Sequence, residues 1–244
     1  MSYDIAELSA LKRHWIARNS NIPRRFWGFG REDIERDMGE FPDASQKWLA
    51  SVYAKENILA TGGIGKTGVG LLFDGTPGLG KTTQAVTVAT EFIRNLPEDS
   101  EEMRKILRYE PTEFGMKSRP VYFLTFVELM ARKKAIFDAD TDERKQLHRE
   151  LEGFHGRAKD DHLNVRVLIL DDLSKAYGSS FDVSSFDELL RSRYDKGLPT
   201  IVTTNKPQPQ WQNQYTEAMG SFSNEAFIRV KLQGSDLRAR KTKG

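Results

Sequence analysis

The sequence of 244 residues contains no cysteine. This absence excludes disulfide bonds, a cysteine nucleophile and a zinc site built on thiolates. It fits a reducing compartment, where structural disulfides are rare, and it leads us to expect a cytoplasmic protein. The histidines do not replace the missing thiolates, because the seven-residue spacing of His148, His155 and His162 is not that of a zinc site.

The sequence also lacks a long apolar run. No stretch approaches the roughly 18 apolar residues that a membrane-spanning helix needs, and the first segment, MSYDIAELSALKRHW, contains acidic residues, unlike a secretory signal. We therefore expect no membrane association. The formal net charge is only +2, which argues against a histone-like mode of nucleic-acid binding. A local basic cluster, Arg132 to Lys134, could contact a nucleic-acid backbone or form a solvated helix face.

Apolar segments alternate with amphipathic helical patterns along most of the chain. The composition is 38% hydrophobic and 30% charged, which is typical of a globular domain. The predicted strands are 70–74, 121–124, 165–170, 200–203 and 228–232, and the predicted helices between them are about 81–95, 126–136 and 186–194. This alternation predicts an α/β fold with a parallel five-stranded sheet, flanking helices and right-handed crossovers.

Other segments flank this core. Ahead of the first strand, the pattern predicts a short N-terminal helix over 3–18, whose apolar residues recur at three- and four-residue steps, and a second helix over about 43–56. Between them, 19–27 is predicted to be a loop with exposed charge and large aromatic rings. Further along, 137–163 is predicted to be a helix that breaks near Gly153, because glycine weakens helices.

The first predicted strand leads directly into a complete phosphate-binding pattern, G-x-x-x-x-G-K-[ST]. The predicted nucleotide-binding residues are this loop and the next threonine: Gly75, Thr76, Pro77, Gly78, Leu79, Gly80, Lys81, Thr82 and Thr83. Glycines let backbone N–H groups turn toward phosphate oxygens, and the following helix adds its positive end. Lys81 is placed to reach the β- and γ-phosphates, and the Thr82 hydroxyl to ligate Mg²⁺. ATP and Mg²⁺ are therefore the predicted ligands.

A second glycine-lysine-threonine sequence, Gly65 to Thr67, is interpreted as a flexible loop. Ala60 stands where the phosphate-binding pattern requires glycine. No predicted strand leads into this sequence and no predicted helix follows it. The surroundings that a phosphate-binding loop needs are therefore missing.

The third predicted strand ends in two carboxylates, Asp171 and Asp172. Because a phosphate-binding loop lies upstream in the same α/β unit, Asp171 is predicted to hold Mg²⁺ together with Thr82, usually through water. Asp172 is predicted to orient or polarise the attacking water. Lys81, Asp171 and Asp172 are thus the predicted catalytic residues of this part of the site. The alternative is one structural helix cap and one solvated acid.

The fourth predicted strand ends in the polar residues Thr203, Thr204 and Asn205. In sheets of this kind, the strand beside the acid-bearing strand points a polar residue at the γ-phosphate. Asn205 is the predicted sensor and the fourth catalytic residue, and Thr204 is the second choice. The alternative is an asparagine that starts the turn into Pro207.

With these residues in place, the chain resembles the AAA+ helicase loaders and transposition helpers of the DnaC/IstB type. The likeness covers about residues 20 to 240, and its most specific part is the order DDL, TNxP, GSDLR. The matching segments are Ile22 to Phe26, Gly75 to Thr82, Val121 to Met130, Leu168 to Leu173, Arg193-Tyr194, Thr204 to Pro207, Trp211 and Gly234 to Arg238.

The resemblance implies a P-loop NTPase of the AAA+ ASCE type that lacks the usual helical lid. It implies that residues 1–20 form a helix that binds a hexameric replicative DNA helicase, that 21–240 are the ATPase domain and that 241–244 are a basic tail. It further implies contact with single-stranded DNA and self-association on the helicase. The insertion around 137–163 stands where loaders carry an extra helical element.

One residue that the resemblance implies is missing. Loaders carry an arginine finger in the helix after the fourth strand, whereas residues 206–228 contain no arginine. Arg191, Arg193 and Arg229 are weak substitutes, so this segment does not predict completion of the site by a neighbouring subunit. A compact variant of this kind is expected from a bacteriophage, which would place the protein in the cytoplasm of a bacterial host.

Four functions stay open at this point. The first hypothesis is an ATP-dependent loader that delivers a replicative helicase onto single-stranded DNA during replication. The second is an IstB-like ATPase that binds duplex DNA and assists a transposase. The third is a small-molecule kinase, although the acid pair favours water as the phosphoryl acceptor. The fourth is a switch that binds ATP and hydrolyses almost none.

Overall fold

The computed structural model describes residues 3–53, 68–107, 117–173, 179–207, 210–211, 216–234 and 236–237. Outside these residues lie the end of the predicted helix 43–56 and the second glycine-lysine-threonine sequence. Ser235 and Arg238 of the last matching segment and the basic tail 241–244 also lie outside them.

A five-stranded sheet forms the centre of the molecule. Its strands in chain order are β1 (Gly70–Asp74), β2 (Val121–Thr125), β3 (Val167–Asp171), β4 (Thr200–Thr204) and β5 (Phe227–Lys231). All neighbouring strands are parallel, and their order across the sheet is β2-β3-β4-β1-β5. The parallel α/β fold that the alternation predicted is confirmed, and every predicted strand is found within two residues of its predicted ends.

Helices cover both faces of this sheet. In chain order they are α1 (Ala10–His14), α2 (Arg31–Met38), α3 (Asp43–Tyr53), α4 (Lys81–Arg94), α5 (Ser100–Leu107), α6 (Phe126–Asp138), α7 (Thr141–His155), α8 (Ser180–Asp195) and α9 (Glu217–Ala226). The two hydrophobic cores follow from the two-residue period of a strand. Leu71 and Phe73 of β1 join the core under α4, whereas Leu72 between them joins the core under α8.

The prediction of a helix that breaks near Gly153 is wrong. Helix α7 passes through Gly153 and ends at His155, with Gly156 as its C-cap. Gly153 serves packing, because a Cβ there would lie 2.6 Å from the Leu163 carbonyl oxygen of the following loop. The amide of Val165 uses the same close approach to donate to the Gly153 carbonyl at 3.1 Å.

The N-terminal segment is not one continuous helix. It consists of a 3-10 turn at Ile5–Glu7, α1, and a wide π turn at Trp15–Asn19, because the backbones of Leu8 and Ser9 are extended between the first two pieces. The predicted apolar stripe is nevertheless present and packs on the core beside α4.

A buried lysine holds this segment against the core around α4. Lys12 is only 5% exposed. Its Nζ donates to the carbonyls of Arg94 at 3.0 Å and Leu96 at 2.5 Å, at the carboxyl end of α4, where the helix dipole favours a positive charge. The N-terminal segment is therefore packed against α4 and the five-stranded sheet.

Helix α2 was not predicted. Its sequence, REDIERDM, contains only two apolar residues, so it has too weak a periodic signal to stand out. The signal that could have found it is the acid at the third helical position. The Asp33 carboxylate accepts a 3.1 Å hydrogen bond from the Gly30 N–H, and Ile34 beside it is fully buried.

Candidate functional site

The phosphate-binding loop lies between the end of β1 and the start of α4, as predicted. Gly80 precedes the helix with φ +77°, in the left-handed region that only glycine adopts readily. A Cβ at this position would also lie 2.8 Å from the Met38 Cε. The turn from strand to helix therefore requires glycine here. Thr82 and Thr83 follow in the first turn of α4.

Lys81 curls back over the loop. Its side chain is almost buried, and its Nζ donates to the carbonyl of Gly75 at 2.8 Å and that of Thr76 at 2.7 Å. An ammonium group offers three donors, and carbonyl oxygens are weaker partners for it than phosphate oxygens. The ammonium group is thus held at the mouth of the loop by bonds that a phosphate can replace.

Three elements meet at the carboxylate of Asp171. The Thr82 hydroxyl of α4 donates to Asp171 Oδ1 at 2.8 Å, and the Thr203 hydroxyl of β4 donates to the same oxygen at 2.6 Å. Thr82 and Asp171 therefore present adjacent oxygen atoms, the ligand type that Mg²⁺ prefers. The residues that were predicted to hold the metal fit it.

Burial raises the pKa of the Asp171 carboxyl above its usual value, because desolvation disfavours the charged form. Hydrogen bonds from Thr203 and Thr82 oppose this shift, and so does the positive charge of Arg25. A cation bound beside the carboxylate would supply the compensation that the buried charge lacks.

Thr203 is a site residue that the sequence analysis did not single out. Besides bonding to Asp171, its Oγ1 accepts a 2.9 Å hydrogen bond from the backbone N–H of Asp172. Asp172 has φ +58°, a left-handed conformation that aspartate tolerates better than most residues. The hydroxyl at the end of β4 thus holds both acids in place. A polar residue in the last position but one of a buried strand was the available signal.

Asn205 lies one residue beyond β4 and is exposed. Thr204, the second choice, is buried, and its Oγ1 accepts a hydrogen bond from the Lys206 N–H at 3.1 Å. This bond is of the kind that starts a turn. The sensing role of Asn205 stays a prediction.

Arg193 is not an arginine finger, which corrects one of the three weak candidates. Its side chain is fully buried in the core at the amino ends of the strands, where it bonds to backbone carbonyls, including Phe154 at 2.6 Å and Pro199 at 2.8 Å. A guanidinium enclosed by its own chain cannot reach a neighbouring subunit.

The other two candidates are held in ion pairs within the chain. Arg229 of β5 donates to the Asp74 carboxylate at 2.7 Å, and Arg191 of α8 donates to Asp187 at 2.9 Å. Asp74 is buried, so removing its partner would leave an uncompensated charge in the core. Arg229 therefore has a structural role beneath the loop.

The basic cluster of α6 is neutralised by acids of the neighbouring helices. Arg132 pairs with Glu150 at 3.2 Å, and Lys133 pairs with Glu188 at 3.3 Å. These pairs favour the interpretation as a charged helix face over a nucleic-acid contact. Within the described ranges, no group of three or more histidine and acidic side chains could hold a metal ion.

A cavity of about 460 Å³ opens beside Asp171, between the N-terminal segment and the carboxyl ends of β2 and β3. The polar and charged residues that line it are Arg18, Asn21, Arg25, Thr125, Glu128 and Asp171. The sequence did not predict this cavity, because its two walls are about 100 residues apart in the chain.

None of the helices in the described part of the chain is long and apolar enough to cross a membrane.

Taken together, the parallel sheet, the loop that enters α4 and the acid at the end of β3 define the P-loop NTPase fold. The solved structure of the DnaC helicase loader is similar, with 22% identity over 86% of this chain and 100% of that chain and a TM-score of 0.52. The structure of DnaI is similar too, with 18% identity over 88% of this chain and 96% of that chain and a TM-score of 0.54. A scan against protein families and a search of curated proteins found no match.

Proposed function

We propose that this protein is an ATP-dependent loader that delivers a replicative DNA helicase onto single-stranded DNA during DNA replication. The observation that carries the proposal is the meeting of Lys81, Thr82 and Asp171 at one edge of the sheet, in a fold shared with the DnaC helicase loader. A bacteriophage origin and a bacterial host cytoplasm belong to the same proposal.

The chain's own residues would hold the nucleotide as follows. Backbone N–H groups of the loop from Gly75 to Thr83 would surround the phosphates, and Lys81 would exchange its loop carbonyls for phosphate oxygens. Thr82 and Asp171 would hold Mg²⁺. Bound ATP would supply the phosphoryl group for transfer to water, and Mg²⁺ would offset the negative charge of its phosphates.

The other proposed roles concern water and the γ-phosphate. Asp172 would orient the attacking water, and its backbone is already held by Thr203 at 2.9 Å. Asn205 would sense the γ-phosphate. ATP binding would order these strand ends, and hydrolysis would let the loader leave the helicase.

The N-terminal segment is the proposed helicase contact. Because Trp15 and Ile16 are buried in the ATPase core, the helicase would meet the outward side of the segment, where Glu7, Ala10 and Arg13 are exposed. The proposal includes self-association on the helicase ring and contact with single-stranded DNA.

The test is the native mass of this protein mixed with the hexameric replicative helicase of its host, with Mg²⁺ and a non-hydrolysable ATP analogue. We expect a discrete complex that Glu7→Arg weakens. Glu143→Arg is the matched control, because Glu143 is also an exposed acid and lies on α7, and it should leave the complex intact.

Absence of a complex with ATP, ADP or no nucleotide would sink the loader hypothesis. The transposition-helper hypothesis would then be tested by the affinities for duplex and single-stranded DNA of the same length. A preference for the duplex would support that second function, whereas a preference for single strands would contradict it.

A further inference from the structure

The cavity beside Asp171 has a positively charged wall that the proposed function does not use. Arg18 and Arg25 line it from the N-terminal segment, opposite Asp171 of β3. In the part of the chain that the structure describes, no carboxylate lies within ion-pair distance of either arginine. Both side chains are exposed. Two guanidinium groups are therefore available at the edge of the sheet where the proposed ATP site lies.

Hydrogen bonds to β2 fix the segment that carries these arginines. The N–H of Phe123 donates to the Ser20 carbonyl at 2.6 Å, and the Asn21 side chain donates to the Phe123 carbonyl at 2.9 Å. The following Phe26 is buried, and the Arg25 guanidinium lies 4.8 Å from the centre of its ring. The backbone around Arg25 is thus attached to the same sheet that holds the acids.

The proposed ATP site requires positive charge, which the cavity wall with Arg18 and Arg25 provides. Transfer of a terminal phosphoryl group is helped by an arginine that stabilises the negative charge on the phosphate oxygens. The three candidates Arg191, Arg193 and Arg229 are buried or paired within the chain. Asp171 brings a further negative charge to the same place, and a guanidinium offers the planar donor pair that suits phosphate.

We propose that Arg25 is the arginine of this ATPase site and acts within its own chain, contacting the terminal phosphate of ATP from the cavity beside Asp171. The inference rests on the proposed binding of ATP at the loop and goes beyond it by assigning the residue that recognises the third phosphate. It makes a finger from a neighbouring subunit unnecessary for this contact.

The experiment measures the dissociation constants of a non-hydrolysable ATP analogue and of ADP, each with Mg²⁺, by titration calorimetry on the full chain. Arg25→Gln should weaken binding of the triphosphate by about tenfold or more, the loss of a charge-assisted hydrogen bond. It should change ADP affinity by less than about twofold, because ADP lacks the phosphate that Arg25 contacts.

The matched control is Arg24→Gln. Arg24 is the neighbouring arginine, it is exposed and it does not line the cavity, so the variant removes the same charge without removing the contact. It should bind both nucleotides as the unaltered protein does. Arg25→Lys keeps the charge without the planar fork, and we expect an intermediate loss for the triphosphate alone.

The outcomes of these measurements separate the further inference from the proposed function. Equal losses for the triphosphate and ADP in Arg25→Gln, or no loss relative to Arg24→Gln, would overturn the inference and leave the proposed function standing. Absence of nucleotide binding by the unaltered protein would overturn the proposed function itself. If Arg25→Gln does not fold by circular dichroism, Arg25→Lys decides, because an unchanged ratio of the two affinities would overturn the inference.

Discussion

Two buried cations lie at opposite ends of the same sheet. Lys81 at the carboxyl end bonds to two carbonyls of a turning loop, both within a few residues of itself. Arg193 at the amino end bonds to acceptors from separate elements. These acceptors are the carbonyls of Phe154, Val165, Arg166 and Pro199 and the Thr200 hydroxyl. The first cation has local, replaceable partners, whereas the second has long-range, permanent ones.

This difference in hydrogen-bond partners indicates a structural role for Arg193 and a ligand-binding role for Lys81. Burial lowers the pKa of the Arg193 guanidinium to about 9, and the ring of carbonyls compensates for the desolvation that causes this shift. A second buried arginine, Arg166, supports the same end through Ile106 and Gly197. Two buried arginines bonded to backbone carbonyls thus occupy the amino end of the sheet, whereas the proposed ligand site lies at its carboxyl end.

The largest effect is expected from Arg193→Met. The change leaves several buried carbonyls without a donor, so we expect a loss of about 3–5 kcal/mol in the free energy of unfolding, measured by urea denaturation. Arg191→Met removes a partly exposed ion pair within α8, and we expect it to lower the free energy of unfolding by less than about 1 kcal/mol. Similar losses in the two variants would contradict the structural role of Arg193.

Lys81→Ala should affect nucleotide binding and leave stability nearly unchanged. We expect the affinity for the ATP analogue to fall by about a hundredfold, because the phosphates lose their charged donor, while the free energy of unfolding changes by less than about 1 kcal/mol. Lys47→Ala on α3, an exposed lysine, is the control for loss of charge. If Lys81→Ala retained its nucleotide affinity, the proposed ligand-binding role of Lys81 would be wrong.

Asp171→Asn should separate metal binding from stability. Because burial raises the pKa of Asp171, its charged form is disfavoured in the folded protein. A neutral asparagine should therefore raise the free energy of unfolding by up to about 1 kcal/mol. The same change should reduce the Mg²⁺-dependent part of ATP-analogue affinity by about tenfold.

Asp172→Asn sharpens this test. Because the side chain of Asp172 is proposed to orient the attacking water, we expect Mg²⁺-dependent binding to be retained while ATP hydrolysis falls. Calorimetry with and without Mg²⁺ gives the binding, and phosphate release gives the hydrolysis. If both variants lose Mg²⁺ dependence equally, the division of roles between the two acids is wrong.

A separate effect concerns the pH dependence of stability at the amino end of the sheet. Burial lowers the pKa of His155 from 6.5 to about 4, so the neutral form stabilises the fold above pH 6.5 and this contribution is lost as pH falls toward 4. When the pH falls from 7 to 5, we expect the free energy of unfolding of His155→Phe to decrease by about 1–2 kcal/mol less than that of the unaltered protein. His148→Phe, an exposed control, should follow the unaltered protein in urea unfolding at each pH.

Local patterns explain most of the successful predictions. The loop from Gly75 to Thr82 and the strand that ends in Asp171 are continuous in sequence, so glycine geometry and apolar runs reveal them directly. Helix α2 was not predicted because its periodic signal is weak. The predicted helix break near Gly153 was wrong because the glycine there allows a close tertiary contact.

The sequence by itself determined the P-loop, the acid-ended strand and a parallel α/β sheet, because each depends on residues that are neighbours in the chain or on a simple alternation of elements. Only the tertiary structure decided that Thr203 holds both acids, that Arg193 is buried and that Arg25 and Asp171 line one cavity. These contacts join residues up to about 150 positions apart, and they exist only because the strand order places β4 and the N-terminal segment beside Asp171.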